Sequence, residues 1–385
     1  MNLTNRKDDH IRICLEKDVS ASYNYWDDIH LLHHAIPVSN FRDIRLDTEL
    51  FGKKLKAPVI LSAMTGGTAL SVKINENLAR AASEFGLGLG VGSQRCTLEK
   101  QRKNSRKSEK DEKEEKSNSG RNTEKKESET EMESASFDII RKYNIPLVIA
   151  NIGAPQLIAQ KGKKGLEHAE IKKIMDMIGA DLLAVHLNYT QEAIQPEGDL
   201  EVSGLTEAIK KVAKEFPVIV KETGAGIGFK TASMLKKLGV IGIDVGGLGG
   251  TSFAAVEYYR ALEAQDKVRA AAGEVYRDWG IPTPVALHLA RVDLPLIATG
   301  GLRNGLDAAR AIALGASAAG FARAVLEPAM VSYDALKEKI ESILHQLKVA
   351  VFLTGSFDIL SFSENVSCII TGPTREWFQS LGVEL

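Results

Sequence analysis

A chain of 385 residues with a formal net charge of −1 and 44% hydrophobic residues is long enough to bury a large core as one α/β domain with extensions. So balanced a charge gives no electrostatic ground for a nucleic-acid or membrane partner. Three widely spaced cysteines, Cys14, Cys96 and Cys368, show no metal-ligand spacing and fit reduced thiols better than a disulfide framework.

The N-terminal MNLTNRKDDHIRI is polar throughout, so no secretory signal is expected. No apolar run reaches the roughly 18–20 residues that cross a bilayer, and a soluble, cytoplasmic protein is expected. Arg6, Lys7 and His10 cluster in this stretch, and basic residues this dense either hold phosphate or form a solvated arm. Residues 37–55 read as irregular structure or short strands.

From residue 57 a repeat begins. APVILSAMTGG (57–67) is a first apolar strand ending in small and polar residues, followed by a helix over 71–85. GLGLGVGSQR (86–95) is a second strand. From Lys100 to Ser134 almost no residue is apolar and Lys, Glu, Ser and Asn dominate, so the segment is expected to be disordered because it offers too little apolar surface to offset its ordering entropy. A long helix is the alternative, against which SNSG argues. A helix over 137–143 leads into a third strand, IPLVIANIGAPQ (145–156), and 168–179 reads as helix. DLLAVHLNYTQE (181–192) is the fourth strand and its exit. A helix over 203–216 precedes the fifth strand, PVIVKETGAGI (217–227), and another follows over 230–238. The sixth strand is VIGIDVGGLGGTSFA (240–254). A helix over 282–292 leads to the seventh, LPLIATGGLRNG (294–305), then a helix over 306–314 and a short eighth, ASAAGFARAVL (316–326). The remainder is mostly helical, with a polar turn at 361–365.

Eight short apolar strands separated by helical patterns are the period of a (β/α)8 TIM barrel. The expected division is an N-terminal extension over 1–57, the barrel over 58–350 with its insert at 100–134, and a C-terminal helical extension over 351–385. Loops after barrel strands share one face, so the strand ends should converge. The first contributes Met64, Thr65 and Gly66, and the second Ser93, Gln94 and Arg95. Asn151 ends the third. On the fourth, His186 and Asn188 point one way by strand alternation, and Gln191 and Glu192 follow where the loop begins. Lys221 ends the fifth and Thr251 follows the sixth. The seventh adds Gly300, Gly301 and Arg303, and the eighth Gly320 and Ala322. Short glycine-bearing turns after the sixth, seventh and eighth strands suggest a phosphate cup built from backbone N–H groups. Lys221 ends an apolar strand and needs a counter-charge, which either a reduced flavin pyrimidine or a carboxylate such as Glu222 supplies.

RKDDHI, SAMTGG, GSQR, NIGAPQ, HLNYTQE, VKETGAGI, GGLGGTS and TGGLRNGLDAARAIALGA, in this order, resemble the flavin-dependent (type 2) isopentenyl-diphosphate isomerases. The resemblance covers nearly all of the chain except the charged insert. It implies migration of a double bond from isopentenyl to dimethylallyl diphosphate without net redox change, with reduced FMN, NADPH as a reductant, and Mg²⁺. It further implies that FMN contacts Ala63, Met64, Thr65, Ser93, Asn151, Lys221, Thr251, Gly300 to Arg303 and Gly320 to Ala322. Arg6, Lys7, His10, Ser93, Gln94, Arg95, His186, Asn188 and Gln191 would hold the substrate. Gln191, His186 and Asn188 would serve catalysis, with Gln191 in a positioning or relay role because an amide is no strong acid. Glu192 would bind the magnesium. The family also suggests homo-oligomers, tetramers or octamers.

A competing expectation is an FMN-dependent oxidase of 2-hydroxy acids on the same fold. That chemistry wants a His base near a late-loop Arg, and this region offers only His288 inside a helical pattern. A nucleotide dehydrogenase would want a reactive Cys after the sixth strand, where none stands. A binding role for the insert is compatible with either activity.

Overall fold

The computed structural model describes residues 3–95 and 136–383. The segment 100–134, expected to be disordered, and Cys96 lie outside the described residues. Eight parallel strands close into a barrel. They are β1 (Val59–Leu61), β2 (Gly88–Gly90), β3 (Leu147–Gly153), β4 (Leu182–Leu187), β5 (Val218–Glu222), β6 (Gly242–Asp244), β7 (Leu296–Ala298) and β8 (Ala318–Phe321). Each pairs with its sequence neighbour, and β8 returns to β1 through Ala319 beside Val59. The fold is therefore the expected (β/α)8 barrel. Its strands are apolar runs because helices cover the outer face and packed side chains fill the inner one.

The helix after β1, Ala69–Phe85, starts with the Thr68 hydroxyl accepting the Ser71 N–H, and it stops at Gly86, whose φ of 63° is costly for a residue with a Cβ. Residues 139–142, within the helix expected at 137–143, form a 3₁₀ turn. The polar turn expected at 361–365 is instead the helix Ile359–Asn365, because Asp358 caps it by accepting the Ser361 N–H. Two further helices, Phe253–Glu263 and Lys267–Val275, fill the stretch between β6 and the helix Thr283–Leu289. The chain ends are joined: Ile29–Leu31 pairs antiparallel with Cys368–Ile370.

The barrel interior is layered. Ile60, Leu147, Ile149, Leu182, Ala184, Ile219, Ile297 and Ala318 pack together with Leu50 and Leu55 of a hairpin, Thr48–Leu50 and Lys53–Leu55, that closes one end. The tip of that hairpin inserts Phe51. A Cβ built on Gly242 would lie 2.6 Å from two carbons of its ring, so β6 has no side chain there. Phe51→Ala is expected to lose about 2–4 kcal/mol of unfolding free energy, because the floor of the barrel would be left with a cavity. Denaturant melts of parent and variant measure it, and equal midpoints would show that the hairpin does not plug the floor.

Candidate active site

Two residues further along each strand, the same inward parity gives a different layer. It is made of Ser62, Gly90, Asn151, His186, Lys221, Asp244, Thr299 and Gly320. Apolar filling thus gives way to hydroxyls, an amide, an imidazole and a buried charge pair at the carboxyl ends of the strands. A cavity opens here, lined by Ser62, Ala63, Gly90, Asn151, Lys221 and Asp244 above Ile149 and Ile219. The buried Ser62 Oγ, like the Ser93 Oγ, has no hydrogen-bond partner among the described residues. Buried hydroxyls are rarely left unpaired, so both are free to bond a bound molecule or water.

One wall of the cavity is a set of closely nested loops. Cβ atoms on Gly250 and Gly300 would run into the backbones of Gly301 and Gly247. The loops after β6 and β7 therefore approach each other backbone to backbone. Residues 19–26 strap them from outside: Ala21 N–H donates to the Gly250 carbonyl at 2.8 Å, Trp26 Nε1–H to Gly300 at 2.9 Å, and Asn24 Nδ2 to Gly301 at 2.7 Å. Thr251, on the loop after β6, is bridged to Ser20 of this strap. The helix Arg323–Val331 begins directly after β8, and its first N–H groups have no carbonyl within the helix to bond. Arg303 does not face the cup through its guanidinium, which is held by Asp27 and Asp307. Phe321 is fully buried and belongs to the outer core, so only its backbone is available.

The opposite wall is the exit of β4. Gln191 and Glu192 were expected in a loop, but they lie on a short helix, Tyr189–Ile194, that follows Asn188 at once. This turn stacks their side chains beside Asn188. Asn188 Nδ2 donates to Glu192 Oε1 at 2.9 Å and is 3.3 Å from Gln191 Oε1, while Asn188 Oδ1 is buried without a partner among the described residues. Glu192 Oε2 accepts from Gln195 Nε2 at 2.6 Å and from the Asp199 N–H at 2.7 Å. Gln191 Nε2 donates to Glu257 Oε1 at 2.8 Å, and the same oxygen meets His10 Nε2 at 3.0 Å. Arg260 completes the group, paired with Glu257 at 2.5 Å and Glu197 at 2.8 Å.

The N-terminal helix Leu3–Glu16 covers this wall. His10 rests on Glu257, Arg6 reaches Gln195 at 3.4 Å, and Lys7 Nζ bonds the Gly66 and Ser93 carbonyls. Arg95 pairs with Asp199 at 2.9 Å. Three basic side chains of the N-terminal helix are thus gathered with Arg95 at one barrel mouth. Gln94 is not among them. It is fully buried, its amide donating to the Ile174 carbonyl and accepting the Asn151 N–H inside the barrel wall. Met64 and Thr65 border the first loop, where Thr65 Oγ1 bonds the Ser71 hydroxyl at 2.7 Å.

His186 has a fixed tautomer. Asn151 Nδ2 donates to the Val91 carbonyl at 3.1 Å, which turns Asn151 Oδ1 toward His186 Nδ1 at 2.8 Å. Nδ1 therefore carries the proton, and Nε2 is left as an acceptor. Burial lowers the His186 pKa to about 3, helped by the positive charges of Lys221, Arg6, Arg95 and Lys7. The imidazole is neutral in the fold and protonates in the unfolded chain near pH 6.5. Between these values the unfolded state binds the extra proton, so stability falls as pH drops from about 6.5 toward 3. The slope from this residue is at most about 1.4 kcal/mol per pH unit. His186→Gln should flatten the acid limb of stability against pH. An unchanged limb would mean that the ring is solvated and titrates normally.

Reasoning from sequence missed several members of the site. Glu257, Arg260, Glu197, Gln195 and Asp199 reach it only through tertiary packing. Asp244 did carry a signal, as an acid ending the apolar strand GID in the manner of Lys221. Glu222 is not the counter-ion of Lys221. Its carboxylate accepts the N–H groups of Thr223, Gly224, Ala225 and Gly226, and Lys221 faces Asp244 instead.

A sequence profile of the FMN-dependent dehydrogenase family matches residues 186–367. An isopentenyl-diphosphate delta-isomerase of Thermoplasma volcanium is 41% identical over 374 residues, covering 97% of this chain and 99% of that protein. The protein of the same name from Archaeoglobus fulgidus is 39% identical over 385 residues, covering 99% and 100%. Among solved structures, a lactate oxidase of Pediococcus acidilactici superposes with a TM-score of 0.56 at 14% identity, over 90% of this chain and 84% of that one. A mandelate oxidase variant holding an FMN adduct gives 0.53 at 14% identity, over 91% of each. At that identity the two structures speak for the fold alone.

Proposed function

The chain belongs to the isopentenyl-diphosphate delta-isomerases, and from that premise we propose that it interconverts isopentenyl and dimethylallyl diphosphate with reduced FMN at the barrel mouth and Mg²⁺ on the diphosphate. The observation that carries the reading is the gathering of Arg6, Lys7, Arg95, His186, Asn188, Gln191 and Glu192 at the barrel mouth, whose cavity is lined by a Ser62 hydroxyl without a partner among the described residues. None of the described helices is long and apolar enough to cross a membrane, so nothing in them points to a membrane-embedded site.

The residues present fit a flavin. In this reading Asn151 and Lys221 meet the ring system, Ser93 and residues 63–65 border it, and the loops of Thr251, Gly300 to Arg303 and Gly320 to Ala322 take the phosphate. Bound and reduced, for instance by NADPH, FMN supplies the acid–base chemistry that a weakly basic alkene requires. The chain's own residues do the rest. Arg6, Lys7 and Arg95 neutralise the diphosphate. His186, neutral with Nε2 as acceptor, and Asn188 orient the substrate head. Gln191, its amide turned by Glu257, positions the reacting carbons and excludes water.

Glu192 fits one bond to a hard cation. A carboxylate offers about four lone-pair sites, and three are taken by Asn188, Gln195 and Asp199. No group of three or more His, Cys, Asp or Glu among the described residues could hold a metal. Mg²⁺ here would therefore take its other ligands from phosphate oxygens and water, as it commonly does. The oxidase alternative lacks its base: His288 stacks edge-on against Phe378, 5.2 Å between centroids, in the outer shell.

The test is anaerobic incubation of the FMN-loaded chain with isopentenyl diphosphate, Mg²⁺ and NADPH. Dimethylallyl diphosphate should accumulate in large excess over NADPH consumed. Absence of conversion, or oxidation of a 2-hydroxy acid in its place, would overturn the reading. Light scattering on the same preparation checks the proposed homo-oligomer.

A further inference from the structure

We propose that Asp244 is a positioning residue for the flavin, holding Lys221 so that a charge pair, rather than a bare ammonium, faces the ring. This rests on the FMN reading above. Lys221 and Asp244 are register partners on β5 and β6, both inward and both lining the cavity. Lys221 Nζ stands 4.0 Å from Asp244 Oδ2, with the side chains only 12% and 5% exposed. Nζ also lies 3.5 Å from the Glu222 carbonyl. An ammonium has three donors, so this loose arrangement leaves one for a ligand in the cavity. Asp244 Oδ1 accepts the Thr299 hydroxyl, which fixes the carboxylate from the far side.

The pair is not explained by packing. The layer beneath is filled by apolar side chains, and an apolar pair would be easier to bury than two charges. Burial pushes the Asp244 carboxyl above its ordinary range, against the pull of Lys221 and Thr299. Groups perturbed in this way concentrate at functional sites. The electrostatic consequence is direct. A lone cation favours a ring that gains negative charge on reduction, and a carboxylate beside that cation weakens the preference. Asp244 therefore sets how strongly the site prefers reduced over oxidised FMN.

The experiment is the midpoint potential of the bound flavin, measured anaerobically by dye equilibration on the holoprotein. Asp244→Asn should raise it, with the preference for reduced over oxidised FMN up at least about tenfold, or roughly 30 mV for a two-electron couple. Lys221→Met should lower it. The double variant Asp244→Asn with Lys221→Met should return toward the parent, and it keeps the test decisive if the first variant fails to retain FMN. A potential in Asp244→Asn equal to that of the parent, or a double variant no different from Lys221→Met, would overturn the proposal and leave Asp244 a structural partner. A parent chain that takes up no FMN overturns the flavin reading itself, and that result is distinct from a holoprotein whose potential ignores Asp244.

Discussion

Glu192→Gln is expected to lower kcat/KM for isopentenyl diphosphate by about 100-fold or more while FMN stays bound. Two losses add. The first is the charge that a magnesium diphosphate would meet, since Mg²⁺ prefers carboxylate oxygen and tolerates few substitutes. The second is internal. Glu192 accepts from Asn188 Nδ2, Gln195 Nε2 and the Asp199 N–H. A glutamine has one acceptor oxygen, so its NH₂ must face one of these donors, and the exit of β4 shifts. The flavin cup is built by the other loops and should be unaffected, leaving the variant yellow. Raising Mg²⁺ should recover part of the rate. Steady-state kinetics across a magnesium series measure this. A variant with the parent's rate and the parent's magnesium dependence would remove Glu192 from the metal site and leave it as the knot that ties Asn188 to Asp199.

The barrel was legible because parallel strands covered on both faces are written as apolar runs, as in Leu147–Gly153. Strand parity was legible too: His186 follows Leu182 and Ala184 at intervals of two and faces inward with them. The helix that carries Gln191 and Glu192 was not, because six residues are too few for a 3.6-residue period to declare itself. Gln94 misled for a different reason. Its neighbours Ser93 and Arg95 reach the mouth, while its own amide is spent between β3 and the Ile174 carbonyl. Glu257 was hidden more deeply. In AAVEYYRA it reads as an ordinary surface acid of a helix, and only packing of Phe253–Glu263 against the N-terminal helix and the exit of β4 places it under Gln191.

That placement makes Glu257→Gln the other large expected effect. Oxygen Oε1 of Glu257 serves His10 and Gln191, and Oε2 serves Arg260. A glutamine at this position faces three donors with a single acceptor. If its oxygen keeps His10 and Gln191, its NH₂ opposes Arg260, a buried cation that also pairs with Glu197. If it turns to Arg260, the amide of Gln191 must flip and His10 loses its anchor. Breaking a buried pair by removing one partner costs about 3–5 kcal/mol, so the melting midpoint should fall. Loss of a positioned group beside the reacting carbons should lower kcat by about 100- to 1,000-fold. The pH dependence separates the two effects. Burial raises the Glu257 carboxyl, but the bonds from His10, Arg260 and Gln191 outweigh it and hold the group below its ordinary range. A depressed carboxylate stabilises the fold above its unfolded pKa, and that contribution disappears as pH falls through the folded one. The glutamine variant should thus lose stability near neutrality and lose less of it on acidification than the parent. Denaturant melts across pH, with FMN content and kcat taken on the same samples, decide the matter. A variant that melts and turns over like the parent would show that His10, Gln191 and Arg260 hold their places without Glu257.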